Sequence, residues 1–115
     1  VYAKKYLGTG DRYSFAREVT SPTKGVEYRV EVARRVLPPG LRLVIVDDFL
    51  ARGRTAEALG EIATEAGCDV LGFGLAIEKC WQSGRDRLER HGWIVHSVVE
   101  LVSIEENAAV IRDRN

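Results

Sequence analysis

Asp47 and Asp48 stand together at the end of an apolar run. Only Phe49 and Leu50 separate them from a five-residue loop, Ala51-Arg52-Gly53-Arg54-Thr55. A strand followed at once by two carboxylates places both acids at its carboxyl end, where open α/β sheets keep their ligand crevice. The loop contains a permissive glycine and runs into a helix-forming segment, so its backbone N–H groups can ring an anion. The amino end of the helix adds unpaired donors and a positive dipole end, which makes a phosphate the natural guest. Paired aspartates alone are equally at home in a helix cap or a solvated turn. The loop and helix that follow favour the ligand reading. Further on, Glu78 and Lys79 end a second apolar run.

Those residues need elements to hold them. Residues 43–46, Leu-Val-Ile-Val, run without alternation, as in a strand buried on both faces in the middle of a parallel sheet. A helix is expected over 54–66, with Ala58, Leu59, Ile62 and Ala66 on one face and Gly67 as its stop signal. Residues 70–77 form the next buried strand, in which Gly72 and Gly74 imply close approach of a backbone or a ligand. Strand, helix and strand make a right-handed βαβ unit with parallel strands. Glu78 and Lys79 then emerge on the same edge as Asp47 and Asp48.

Before this unit, the chain opens on a short strand, and 6–22 reads as a loop or an irregular hairpin. Residues 26–32 alternate Val, Tyr, Val and Val with Glu, Arg and Glu, the period of a half-buried strand. A helical turn at 33–37 and a Pro38-Pro39-Gly40 turn follow. After the unit come a helix over 84–91, whose Arg85, Arg87 and Arg90 lie on a solvated face, a strand over 93–98, and a hairpin from 101–104 and 108–111. Trp81 is either core or a base-stacking residue.

The 115 residues make one domain with a modest core. Lys and Arg number 17, as do Asp and Glu, so no global field draws the chain to nucleic acid or a membrane. No apolar run approaches a membrane span, and the reading is a cytoplasmic protein. Cys68 and Cys80 lack metal-ligand spacing and read as free thiols. His91 and His96 have no second ligand at a recognisable spacing.

The stretch 43–55, LVIVDDFLARGRT, resembles the phosphoribosyl-pyrophosphate (PRPP) motif of the type I phosphoribosyltransferases. With Ile77-Glu78-Lys79, the Asp47-Asp48-Phe49-Leu50-Ala51 wording looks most like the xanthine phosphoribosyltransferases and the related purine-operon repressors, with the adenine enzymes next. The resemblance implies a Rossmann-like α/β fold, a parallel sheet with flanking helices, of which this chain matches the later part without the family's amino-terminal region. It further implies that Asp47 and Asp48 face the ribose hydroxyls, and that Ala51, Arg52, Gly53, Arg54 and Thr55 hold the 5′-phosphate. Phe49, which leaves the same strand end, is the candidate for packing on the purine ring, and the motif Ile77-Glu78-Lys79 makes Lys79 the expected contact to the base. Arg54 replaces a second glycine and Arg52 a threonine found in many members, so backbone donors survive but a hydroxyl donor is lost. The family's mobile lid falls in 6–22, with Lys24 close by as a ligand for pyrophosphate. Mg²⁺ is implied, with Asp47 and Asp48 meeting it through water, and so is a homodimer. The expected activity is transfer of ribose 5-phosphate from PRPP to a 6-oxopurine such as xanthine, in purine salvage. A PRPP-sensing module without turnover and an adenine phosphoribosyltransferase are the alternatives.

Overall fold

The computed structural model describes residues 3–6, 13–21, 25–105 and 108–112. It divides into two compact units, one from 1–43 and 57–70, the other from 44–56 and 71–115.

In the first unit, strands β1 (Lys4–Tyr6), β2 (Ser14–Ser21) and β3 (Gly25–Ala33) form an antiparallel sheet in the order β1-β3-β2. The alternation over 26–32 does yield a strand. Its partner β2 lies in the segment 6–22 read as a loop or an irregular hairpin; among the described residues that segment instead supplies a strand that pairs outside it, with β3, its register slipping between Val19 and Thr20. The period was hard to see because Arg17 occupies the position between Phe15 and Val19 in the alternation, and its guanidinium reaches Glu65 at 3.1 Å. A 3-10 turn at Arg34–Val36 leads to the proline turn.

The core here combines Phe15, Val19, Val30 and Val32 with Ala58, Ile62, Ala63 and Ala66 from helix α1 (Arg54–Glu65) and the turn after it. Val30 and Ile62 are wholly buried. Removing one such side chain from water contributes about 1.5–3 kcal/mol. The helix stops where Gly67 was expected to stop it. Cys68 N–H donates to the Ala63 carbonyl and Gly67 N–H to that of Thr64, the paired bonds of a Schellman ending.

A four-stranded sheet has the order β4-β5-β6-β7, comprising β4 (Arg42–Leu50), β5 (Asp69–Lys79), β6 (Val95–Glu105) and β7 (Ala108–Arg112). Val46 lies beside Gly74, and Lys79 lies over Phe49. The two contacts advance together along both strands, so β4 and β5 run parallel, as their helical connection requires. β5 and β6 are parallel, from Phe73 opposite Val95 to Lys79 opposite Leu101. β7 returns antiparallel, so the sheet is mixed rather than purely parallel.

Three expectations need correction. β4 is an edge strand and alternates, leaving Val44 60% and Val46 75% exposed, instead of lying buried on both faces. An unbroken apolar run does not record whether a second layer covers each of its faces, because that depends on elements elsewhere in the chain. The expected strand at 93–98 and the first arm of the expected hairpin, 101–104, are one strand, β6, since no breaker interrupts Val98-Val99-Glu100-Leu101-Val102. Of the two glycines in β5, only Gly72 marks a close approach: a Cβ there would stand 3.0 Å from the Ile94 carbonyl oxygen, whereas Gly74 has ordinary room. Among the described residues no helix is long and apolar enough to cross a membrane.

Candidate functional site

Asp47, Asp48, Phe49, the 51–55 loop, Glu78 and Lys79 all fall in the second unit. Asp47 and Asp48 sit inside β4, which continues to Leu50, so strand geometry carries past the acids instead of ending at them. Each carboxylate is oriented by the next residue. Asp48 N–H donates to Asp47 Oδ1 and Phe49 N–H to Asp48 Oδ1, both at 2.8 Å. Asp48 is exposed and Asp47 half-buried.

Leu50, 1% exposed, anchors the strand before the chain bends at 51–52. Gly53 then takes φ 78°, a left-handed conformation that glycine adopts without steric cost. Space demands glycine as well, because a Cβ would meet Gly84 Cα at 2.9 Å. Helix α1 starts at the next residue, Arg54. The loop thus has the expected form, a glycine turn opening a helix, and a second short helix, α2 (Gly84–Glu89), supports it. Gly84 N–H donates to the Ala51 carbonyl and Arg87 Nε to the Arg52 carbonyl, both at 2.9 Å.

At the end of β5, the Lys79 ammonium lies 5.7 Å from the centroid of the Phe49 ring, within cation–π range. Phe49 is half exposed, leaving ring surface open to solvent. The two parallel strand ends therefore meet at Phe49 and Lys79, with Asp47 and Asp48 just before Phe49 on β4. Glu78 behaves differently. It is 3% exposed and accepts from Arg85 Nη2 at 2.7 Å, from Arg85 Nε at 3.1 and 3.2 Å, and from Ser97 Oγ at 2.8 Å. Arg85 also donates to the Val95 carbonyl at 3.0 Å. The sequence reading put Arg85 on a solvated face; instead it closes a buried ion pair, because an ionised carboxylate removed from water requires a partner. Hydrogen bonding to Glu78 raises the Arg85 pKa further and keeps it charged. Arg85 and Arg87 are the structural residues that sequence reasoning missed. Neither the Glu78–Arg85 spacing nor a side-chain bond to a loop carbonyl leaves a pattern in the chain.

Glu78 and Arg85, with Cys80, Gln82, Asp86 and Arg112, line a pocket of about 130 Å³. Glu78, Cys80 and Glu100 each bring one ligand atom within 4.8 Å of the others. Arg85 already pairs with Glu78, and Arg112 stands 3.6 Å from Glu100. Burial first, then Glu78 and Glu100, push the Cys80 thiol upward, so it keeps its proton at neutral pH. The trio is a charge-balanced cluster with a poor thiol nucleophile. Cys68 and Cys80 are both free thiols, as expected.

The remaining candidates are elsewhere. Lys24 lies outside the described residues. Arg17 belongs to the first unit. Trp81, 46% exposed, is not core. His91 stacks on Trp93 at 4.2 Å, and His96 is exposed on the face opposite Val95. Neither joins the site.

No family model matches the chain. Relatives named xanthine phosphoribosyltransferase do. The one from Laribacter hongkongensis is 42% identical over 108 residues, 93% of this chain and 57% of that protein. The one from Chloroflexus aurantiacus is 36% identical, covering 96% of this chain and 53% of that protein. The chain spans somewhat more than half the length of these relatives. Among solved structures, adenine phosphoribosyltransferase from Rhodothermus marinus superposes with a TM-score of 0.73 at 31% identity, covering 86% of this chain and 54% of that one. That of Thermoanaerobacter pseudethanolicus gives 0.71 at 25% identity, covering 83% and 53%. Likeness in sequence to the xanthine enzymes and in fold to the adenine enzymes meets in one conclusion: this chain belongs with the type I phosphoribosyltransferases.

Proposed function

We propose that the chain carries the PRPP-binding and base-contacting part of a purine phosphoribosyltransferase, which transfers ribose 5-phosphate from PRPP to a 6-oxopurine such as xanthine and releases pyrophosphate. The observation that carries this reading is the grouping of Lys79 and Phe49 beside the Asp47–Asp48 pair and the 51–55 loop.

The residues divide the work by chemistry. The backbone of 51–55 and the start of α1 receive the 5′-phosphate, where donors and helix dipole both favour an anion. Asp47 and Asp48 accept from the ribose hydroxyls. Phe49 offers its ring to the purine face, and the Lys79 ammonium, with three donors and no acceptor, meets a carbonyl oxygen on the base. Ala51 brings no side-chain base, so the purine proton passes to solvent or to a group elsewhere, and an easily ionised base needs least help. The two carboxylates also suit Mg²⁺, which takes hard oxygen donors and is typically held by one or two carboxylates together with substrate oxygens. Held by Asp47 and Asp48 through water, the ion would neutralise charge on the leaving pyrophosphate.

Calorimetric titration with ribose 5-phosphate or PRPP tests the site. Asp47→Asn or Gly53→Val should weaken binding by at least about 1.4 kcal/mol, a tenfold change. No binding by the unaltered chain at millimolar ligand would remove the reading.

A further inference from the structure

We infer that the first turn of α2 is the positioning element of the 51–55 loop, with Gly84 and Arg87 as positioning residues that set where its backbone donors point. The inference rests on the phosphate reading of that loop. Gly84 N–H and Arg87 Nε hold consecutive loop carbonyls, those of Ala51 and Arg52, at 2.9 Å. Fixing two successive carbonyls fixes the planes of the peptides that follow them, and with those planes the N–H groups of Arg52 and Gly53.

Steric fit leaves this contact little freedom. A Cβ on Gly84 would lie 2.5 Å from the Ala51 carbonyl oxygen and 2.8 Å from Leu50 Cδ1; a Cβ on Gly53 would lie 2.9 Å from Gly84 Cα. Two glycines therefore meet backbone to backbone, and neither side can shift without disturbing the loop. The same turn is itself held from the other side, because Arg85 grips Glu78, the residue before Lys79. One short helix thus ties the loop to the strand end that carries the base-contacting lysine. A displacement of about 1 Å in such a site can cost as much as a hundredfold in rate.

The test is an amide NMR titration of the full chain with ribose 5-phosphate, which reads folding and binding in one spectrum. In the unaltered protein the amides of Gly53, Arg54 and Thr55 should shift. Arg87→Met should keep a dispersed spectrum and weaken binding about tenfold, and Arg87→Lys, which keeps a donor within reach of the carbonyl, should recover most of that loss. Gly84→Ala should weaken binding at least as much. Equal affinity in Arg87→Met and the unaltered chain would overturn the inference. So would a collapsed Arg87→Met spectrum, which would make Arg87 a residue of general stability. If the loop amides of the unaltered chain do not move at millimolar ligand, the phosphate reading fails first and takes this inference with it.

Discussion

On the proposed function, Lys79 is the residue on which base choice would turn. A 6-oxopurine presents carbonyl oxygens that require a donor, whereas adenine presents an exocyclic amine that requires an acceptor. Lysine supplies only donors, and a site that leaves a buried polar group unpaired discriminates by several kcal/mol. In an active enzyme containing this chain, Lys79→Ala should cost far more activity with xanthine or guanine than it costs in PRPP affinity, and adenine should be a poor substrate throughout. Competition assays with the four bases measure this. A preference for adenine, or undiminished oxopurine activity in Lys79→Ala, would refute it. Phe49 and Lys79 already face one another at 5.7 Å, so loss of the ammonium also removes the cation from the ring on which the purine would stack.

Helix α2 is too short to be stable alone and is held by its contacts. Leu88 is completely buried, and Arg85 joins α2 to β5 through Glu78. Removing one member of a buried pair strands the other charge, which typically costs about 3–5 kcal/mol. Arg85→Met should therefore destabilise the protein strongly in urea unfolding. The double variant Arg85→Met, Glu78→Gln should recover a good part of the loss, because no unpaired charge remains. A double variant as unstable as Arg85→Met would show that packing of the arginine stem, not the stranded carboxylate, sets the cost. For β4 the lesson is different. Its burial alternates because one face of the sheet is covered and the other open, as on the central strand β6, where Val98 is 79% exposed.

At the scale of the molecule, the four-stranded sheet shows an apolar face. Val44 and Val46 share one side of β4, and Val46 lies beside Gly74, whose partner on β6 is His96; Val98, two residues on, is 79% exposed. Clustered apolar side chains in water favour association. Val46→Lys and Val98→Lys should each change stability by no more than about 0.5 kcal/mol, since little burial is lost. Both should lower binding of a hydrophobic dye and self-association measured by light scattering. Strong destabilisation would mean that this face is covered.

What the sequence determined by itself is what depends on local order along the chain. The apolar run, acids, glycine loop and helix of 43–66 specify a strand, a turn and a helix whose end at Gly67 follows from backbone geometry, and the Asp47–Asp48 pair with Ile77-Glu78-Lys79 pointed to the family. The hairpin that brings β7 back antiparallel was legible too, while the tertiary structure alone decided the place of β4 in the sheet order, Glu78 buried on Arg85, and Arg87 and Gly84 bound to the carbonyls of the loop. The loop contacts of Gly84 and Arg87 reach back more than thirty residues, and the Glu78–Arg85 pair, though only seven apart, forms across a turn; no periodicity or short motif records either.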